Sequence, residues 1–363
     1  MDRIHDAVTG IGENFMPTTN KEVEPKKAKV LVTGATGFLG GRLVEMLVER
    51  AYRVRALARR SSSTEKISAL GIEIVYGDVA DAPSLRSAFQ DIDVVVHAAA
   101  ATEGSEDETK RTTIQGTENV LELCKEFKIG RLIHISSCSV YGVANYPENK
   151  VVTEDSSLER YPKRRGWYSF GKLESEKIVT AAMEKGSFPI VCLRPGTILG
   201  PGGAILTPMM GFSLGEKLFV IIGKGEFVLP LVYIDNLVDA IISAIEKIDA
   251  EGKIFNVVDP EPINKKEYVE KLLKRLYPKA SFIYVPYSLL LVTVYLQECF
   301  LNLLGRAPFI TRYRVASSQK KVLYDSSRIM KELNWKPPYT MEEAIGAVIT
   351  DERGKTENGA KRI

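Results

Sequence analysis

Thr33-Gly34-Ala35-Thr36-Gly37-Phe38-Leu39-Gly40 lies between an apolar run at 28–33 and a segment at 40–49. Leu39, Leu43, Met46 and Leu47 recur there at helical spacing. A strand, a turn with glycines at Gly34-x-x-Gly37-x-x-Gly40 and a helix make the first half of a βαβ unit. The first glycine lets the chain turn sharply out of the strand. The second lets backbone N–H groups approach a pyrophosphate, and the third lets the new helix pack on the sheet. The helix N-terminus adds oriented donors and partial positive charge for phosphates. The plain alternative is a Gly-rich turn with no ligand. Its place after an apolar strand, at the head of a βαβ series, favours dinucleotide binding.

Outward from the loop the pattern repeats. Strands are expected at 53–58, 72–76, 94–98, 131–135 and 190–193, with helices near 84–89, 113–127 and 169–185. Strands spaced by helices give a parallel sheet, and their continuous apolar character fits a sheet covered on both faces. The fold class expected is α/β, a Rossmann-type doubly wound parallel sheet with a smaller C-terminal α/β substrate lobe. A Pro/Gly break at 200–203 marks the change of rhythm. Beyond it, a strand is expected near 254–258 and helices near 265–276 and 287–304. The nucleotide-binding core is placed at 28–199, with some of 232–260 returning to it, and the substrate lobe at 200–350. Segments 1–27 and 351–363 are polar and aperiodic, and read as a disordered extension and tail.

Composition narrows the function. The 363 residues carry 49 Lys+Arg against 46 Asp+Glu, a balance that argues against nucleic-acid binding. The four cysteines, Cys124, Cys138, Cys192 and Cys299, are far apart, so neither a disulfide framework nor a thiolate zinc site is expected. His5, His97 and His134 have no metal-ligand spacing, so no metal is expected. The N-terminus lacks the apolar core of a signal peptide, which makes a cytoplasmic location the default.

The second strand ends in Arg59-Arg60 followed by Ser61-Ser62-Ser63. An acidic residue there would bond a ribose 2′-hydroxyl. Guanidinium and hydroxyl groups suit a 2′-phosphate, so NADP is expected over NAD, against the plain reading of two solvated arginines. Asp78 is either a partner for the adenine amino group or a turn aspartate after Gly77.

Tyr168-Ser169-Phe170-Gly171-Lys172 opens a long helical pattern, and its four-residue spacing puts phenol and ammonium on one helix face. A phenol is a poor base at its usual pKa of about 10. A nearby ammonium favours the phenolate and makes proton exchange with a substrate hydroxyl feasible. The fifth strand runs into Ser136-Ser137-Cys138-Ser139-Val140-Tyr141-Gly142, which places hydroxyls on the ligand-binding rim of a parallel sheet. A nucleophilic serine is disfavoured, because no Gly-x-Ser-x-Gly elbow is present.

Together these segments resemble the extended short-chain dehydrogenase/reductase family over about residues 28–347. The remaining carriers are His97-Ala98-Ala99-Ala100, LRPGTILGPG at 193–202 and VYIDNLVDA at 232–240. The resemblance implies a catalytic set of Ser137, Tyr168 and Lys172, with Ser136 as the neighbouring alternative to Ser137. It implies cofactor contacts from Gly34, Thr36, Gly37, Phe38, Leu39 and Gly40 of the loop. Further contacts are implied from Arg59, Asp78, Val79, Ala98, Ala99, Ala100, Tyr168, Lys172 and Pro195. Many members carry Asn where this chain has Thr113, and sugar-nucleotide members carry Asn after the sixth-strand arginine, where this chain has Arg194-Pro195-Gly196-Thr197. Threonine at 113 looks more like members that act on flavonoid-type substrates, and the Arg-Pro turn without that Asn looks more like the 3β-hydroxysteroid dehydrogenase and sterol or flavonoid reductase branches.

The implied activity is interconversion of a secondary alcohol and a ketone with NADP or NAD. The substrate implied is a hydrophobic small molecule, steroid- or terpenoid-like, or a lipid-linked sugar. Two rivals stand beside it: a nucleotide-sugar epimerase or dehydratase with tightly held NAD, and a redox-sensing binding module without turnover. The apolar stretch at 282–304, broken by Gln297-Glu298, is read as a buried helix, a dimer face or a helix lying at a membrane surface. Paired long helices suit a four-helix homodimer interface in such proteins.

Overall fold

The computed structural model describes residues 27–306, 308 and 310–360, the side chains of 356–360 excepted. Seven apolar runs form one sheet. They are β1 (Lys29–Thr33), β2 (Arg53–Ala58), β3 (Glu73–Tyr76), β4 (Val94–His97), β5 (Arg131–Ile135), β6 (Ile190–Pro195) and β7 (Ile254–Val257). The spatial order is β3-β2-β1-β4-β5-β6-β7, with every neighbouring pair parallel. The order reverses between β1 and β4, where Thr33 lies opposite His97. Ligands of doubly wound sheets bind outside the strand ends at such a switch point.

Successive side chains of a strand point to opposite faces, and β1 shows why both faces are apolar. Val30 and Val32 join Leu43 and Leu47 of α1 (Phe38–Glu49) in one core. Leu31 joins the opposite core, with Leu85 of α2 (Ala82–Phe89), Leu121 of α3 (Gly116–Glu126) and Val179 of α4 (Trp167–Glu184). A further helix, α5 (Ile234–Glu246), packs on the α1 side through Leu237 and Ile241.

Two stretches beyond residue 199 come back to this core: β7 with α5, and the segment carrying Ile329, Leu333 and Trp335. In the other direction, Lys150–Val152 leaves the main sheet and pairs with Val322–Tyr324. The smaller lobe has its own core, which includes Phe219, Leu229, Tyr268, Leu272 and Ile345. It also holds a three-stranded sheet of Gly211–Leu214, Leu218–Ile222 and Ser281–Val285. An exposed helix, α6 (Tyr287–Leu303), follows.

Two expectations need correction. The helix expected from 113 begins at Glu106, where the Ser105 side chain accepts from Glu108 N, and passes through a π-helical stretch, Thr109–Gln115, before α3. The wider turn shifts the apolar spacing away from 3.6, which hides this start in the sequence. The tail read as disordered from Asp351 is helical to residue 360, as the end of Met341–Ala360. Lys355 pairs with Asp351 and Glu352 on that helix, and Asp351 accepts from Gly202 N at 3.0 Å. Charge pairs at (i, i+3) and (i, i+4) support a helix that apolar periodicity does not announce. Residues 1–26 and 361–363 lie outside the described residues.

Candidate active site

A cleft of about 1210 Å³ runs along the C-terminal ends of the strands. Gly34, Thr36, Gly37, Phe38, Leu39, Gly40, Arg59, Asp78, Val79, Ala98, Ala99, Ala100, Ser137, Tyr168, Lys172 and Pro195 all line it. The parallel sheet and α4 therefore gather residues from seven separate parts of the sequence onto a single rim.

The glycine loop is shaped by close approach. Gly34 has φ +72°, and a Cβ there would sit 2.8 Å from Ala99 N. A Cβ at Gly40 would sit 2.1 Å from Gly34 O, so only glycine lets α1 start against the loop. Gly37 N donates to Gly34 O at 3.0 Å and Gly37 precedes α1 without any capping side chain. The first turn of α1 therefore directs backbone donors toward the cleft, a surface that fits a pyrophosphate. Arg59 and Ser62 lie at the end of β2, with Ser62 N bonded to Arg59 O. Asp78 Oδ1 accepts from Ala80 N at 2.9 Å, so this carboxylate shapes its turn while also bordering the cleft.

At the far end, β5 stops at Ile135 and the chain turns through two serines. The Ser136 hydroxyl is committed to Glu176, whereas the Ser137 hydroxyl accepts from Ser139 N at 3.1 Å and lies beside the Tyr168 phenol. Tyr168 and Lys172 lie one turn apart on α4. Gly171 between them lets α4 press on the π-helical stretch, since a Cβ there would meet Thr109 Cγ2 at 2.6 Å. Lys172 Nζ donates to Ile135 O at 2.7 Å.

Electrostatics at this end differ from the simple expectation. Burial lowers Lys172 to about 8, against the opposing pull of Cys192 and Glu176. Burial raises Tyr168 above the usual phenol range, and the neighbouring Ser137 hydroxyl offsets this only in part. The expected lowering of the phenol by the ammonium is not found. Lys172 serves the Ile135 carbonyl, and loss of water around the phenolate dominates. The Tyr168 phenol, raised above its usual range, keeps its proton at neutral pH.

A polar layer behind the rim was not legible as a site. The Glu176 carboxylate receives Ser136, Cys192 and Arg194. Arg194 also donates to the Tyr141 hydroxyl at 2.7 Å and to Glu154 O. Continuing the Tyr168, Lys172 interval by four more residues reaches Glu176, and that spacing was the available signal. His97 bridges Thr33 and Thr117 at 2.8 and 3.1 Å, and burial pushes it down to about 3. Thr113, noted as a departure, accepts from Ala101 N and fixes the loop after β4. Trp167, Met209 and Arg314 line the same cleft, from three separate segments.

The family model described as "NAD dependent epimerase/dehydratase family" matches residues 30–257. A 3beta-hydroxysteroid-dehydrogenase/decarboxylase (isoform 1) of Arabidopsis thaliana is 30% identical over 358 residues, covering 90% of this chain and 80% of that protein. A 4-hydroxy-2-methyl-3-oxo-4-farnesyl-3,4-dihydroquinoline-1-oxide ketoreductase of Stigmatella aurantiaca is 26% identical over 326 residues, covering 88% and 95%. Among solved structures, a UDP-glucuronic acid 4-epimerase from Bacillus cereus in complex with NAD superposes with a TM-score of 0.69. At 24% identity, over 90% of this chain and 99% of that one, it is a likeness of fold.

Proposed function

The chain belongs to the NAD dependent epimerase/dehydratase family, the extended short-chain dehydrogenases/reductases, and from that premise we propose that it interconverts a secondary alcohol and a ketone on an apolar substrate. The observation that carries the proposal is that Ser137, Tyr168 and Lys172, the last two one turn apart on α4, line one cleft headed by the glycine loop.

A bound nicotinamide would supply or take the hydride. The roles proposed for this chain's own groups follow from their positions. Backbone donors at the start of α1 hold the pyrophosphate. Arg59 and Ser62 hold a 2′-phosphate, which makes NADP the preferred form. Asp78 and Val79 border the adenine, while Ala98, Ala99, Ala100 and Pro195 border the dinucleotide further along. The Ser137 hydroxyl polarises the carbonyl oxygen, and Tyr168 gives its proton to that oxygen as negative charge develops there. In the oxidative direction Tyr168 takes the proton back. Lys172 is proposed to bind the nicotinamide ribose and to stabilise the phenolate once the proton has left.

An apolar substrate is supported by the relatives, whose names specify a hydroxysteroid and a farnesylated quinoline oxide. The same reading includes a homodimer through α3 and α4, a cytoplasmic location, and contact of 282–304 with a membrane surface. The alternative is a nucleotide-sugar epimerase or dehydratase, supported by the fold neighbour. Cofactor content of the purified protein separates the two. An exchangeable site that takes NADPH more tightly than NADH, with turnover of hydrophobic ketones, supports the dehydrogenase. NAD that dialysis cannot remove, with binding of UDP-sugars, supports the epimerase.

A further inference from the structure

The α6 helix is apolar on the side that faces solvent. Leu289, Val292, Leu296, Phe300 and Leu303 recur at intervals of three and four residues, and each is at least half exposed. Only Val294 and Leu301 of this 17-residue helix are buried. Gln297 and Glu298, which break the apolar run in the sequence, do not break the outward face. Gln297 Oε1 accepts from Ile310 N, and Glu298 accepts from Arg312 N and Nε at 2.7 and 2.6 Å. With Val294 and Leu301 they form the inward stripe. The outward stripe is about 20 Å long at 1.5 Å per residue, and exposed apolar faces of this kind mark interaction sites.

The charge beside this face has one sign. From Cys299 to Tyr324 the chain contains Arg306, Arg312, Arg314, Lys320 and Lys321 and no Asp or Glu. Arg312 is paired with Glu298, and Lys321 with Glu226. Among the described residues Arg306, Arg314 and Lys320 have no ion-pair partner. A second basic run, Lys163-Arg164-Arg165, adjoins it. Thr311 Oγ1 donates to Arg164 O, and Gly166 lies beside the Arg314 guanidinium. Lys163 is paired with Glu106. Arg165 and Arg314 line the cleft.

We propose that α6 and these cations form one face that docks on an anionic phospholipid bilayer, so that the cleft takes its apolar substrate from the lipid. Apolar residues opposite a helix's inward stripe enter the acyl boundary, while neighbouring cations meet anionic headgroups. The bonds from Gln297 and Glu298 tie α6 to the segment that carries Arg314, which couples the docked helix to the cleft. A second copy fits this face less well. A two-fold contact pairs a patch with itself, so the unpaired cations of one copy would face a patch of the same sign. The delivery step rests on the proposed apolar substrate, and the docking deepens the membrane contact proposed for 282–304.

The test is co-sedimentation of the full chain with phosphatidylcholine vesicles, with and without phosphatidylserine. The expected result is binding to the anionic vesicles that weakens with salt. Arg306→Gln and Lys320→Gln should each lose about fivefold in affinity. Leu296→Ser/Phe300→Ser should lose binding while still reducing a detergent-dispersed ketone. Equal binding by the wild type and the Ser double variant would overturn the proposal. So would a wild-type dimer that binds no vesicles and that the double variant splits into monomers. If no ketone is reduced by any form, the proposed function fails while the sedimentation result still decides the docking.

Discussion

The Glu176 carboxylate and the Arg194 guanidinium meet at 2.6 Å, with neither side chain more than 3% exposed. Glu176 stands on α4 four residues after Lys172, and Arg194 stands on β6. The pair therefore locks the helix that carries Tyr168 to the strand beside it. Removing one member of a buried pair leaves the other charge uncompensated. Glu176→Gln should destabilise the protein by about 3–5 kcal/mol. Denaturant unfolding of the two proteins reads this as a lower midpoint, and an unchanged midpoint would contradict it.

Lys172 gives a prediction with a defined sign. Its folded value of about 8 lies below its usual 10.5 because burial disfavours the ammonium. Between these values the unfolded chain binds more protons than the folded one, so stability rises with pH through this window. Cofactor binding runs the other way if the ammonium holds the ribose: affinity should fall as pH rises through about 8. Titration of NADPH fluorescence at several pH values checks this, and Lys172→Met should remove the dependence.

His97 sets a window at the acid end. It is buried, held between Thr33 and Thr117, and pushed from 6.5 to about 3. Below 6.5 the unfolded chain takes the proton and the folded chain does not, so stability falls with acidification from 6.5 toward 3. At pH 5 its share is about 2 kcal/mol, taking 1.36 kcal/mol per pKa unit. Comparing the loss of stability from pH 7 to pH 5 in wild type and His97→Gln isolates that share from the carboxylates. Equal losses would refute it.

Arg59 tests the cofactor preference. It stands at the end of β2 on the cleft, beside Ser62. Arg59→Ala should weaken NADPH by roughly tenfold or more, the scale of one charge-assisted contact, and leave NADH nearly unchanged. Equal weakening of both would assign Arg59 a role other than reading a 2′-phosphate.

The fold was legible because strands buried on both faces read as continuous apolar runs, and the Gly34–Gly40 spacing placed the first turn. All the residues named for the cofactor and for proton transfer line one cleft, since parallel strands end on one rim. Less was legible where periodicity is not the organising force. The π-helical stretch at 109–115 shifts the spacing, and the terminal helix runs on ion pairs past Asp351. The Glu176–Arg194 pair and the approach of Arg314 to the cleft depend on contacts between distant segments. The orientation of Gln297 and Glu298 is a matter of which helix face is covered, and the sequence alone does not set it.

The central claim is that Tyr168 moves the proton while the rest of the site holds substrate and cofactor. Its most direct test is Tyr168→Phe, with NADPH binding and NADPH-dependent reduction of a hydrophobic ketone measured on the same preparation. The account predicts unchanged NADPH affinity and a rate reduced by roughly 10²–10⁴-fold, the range of a lost general acid. A variant that binds NADPH and reduces the ketone at the wild-type rate would contradict it.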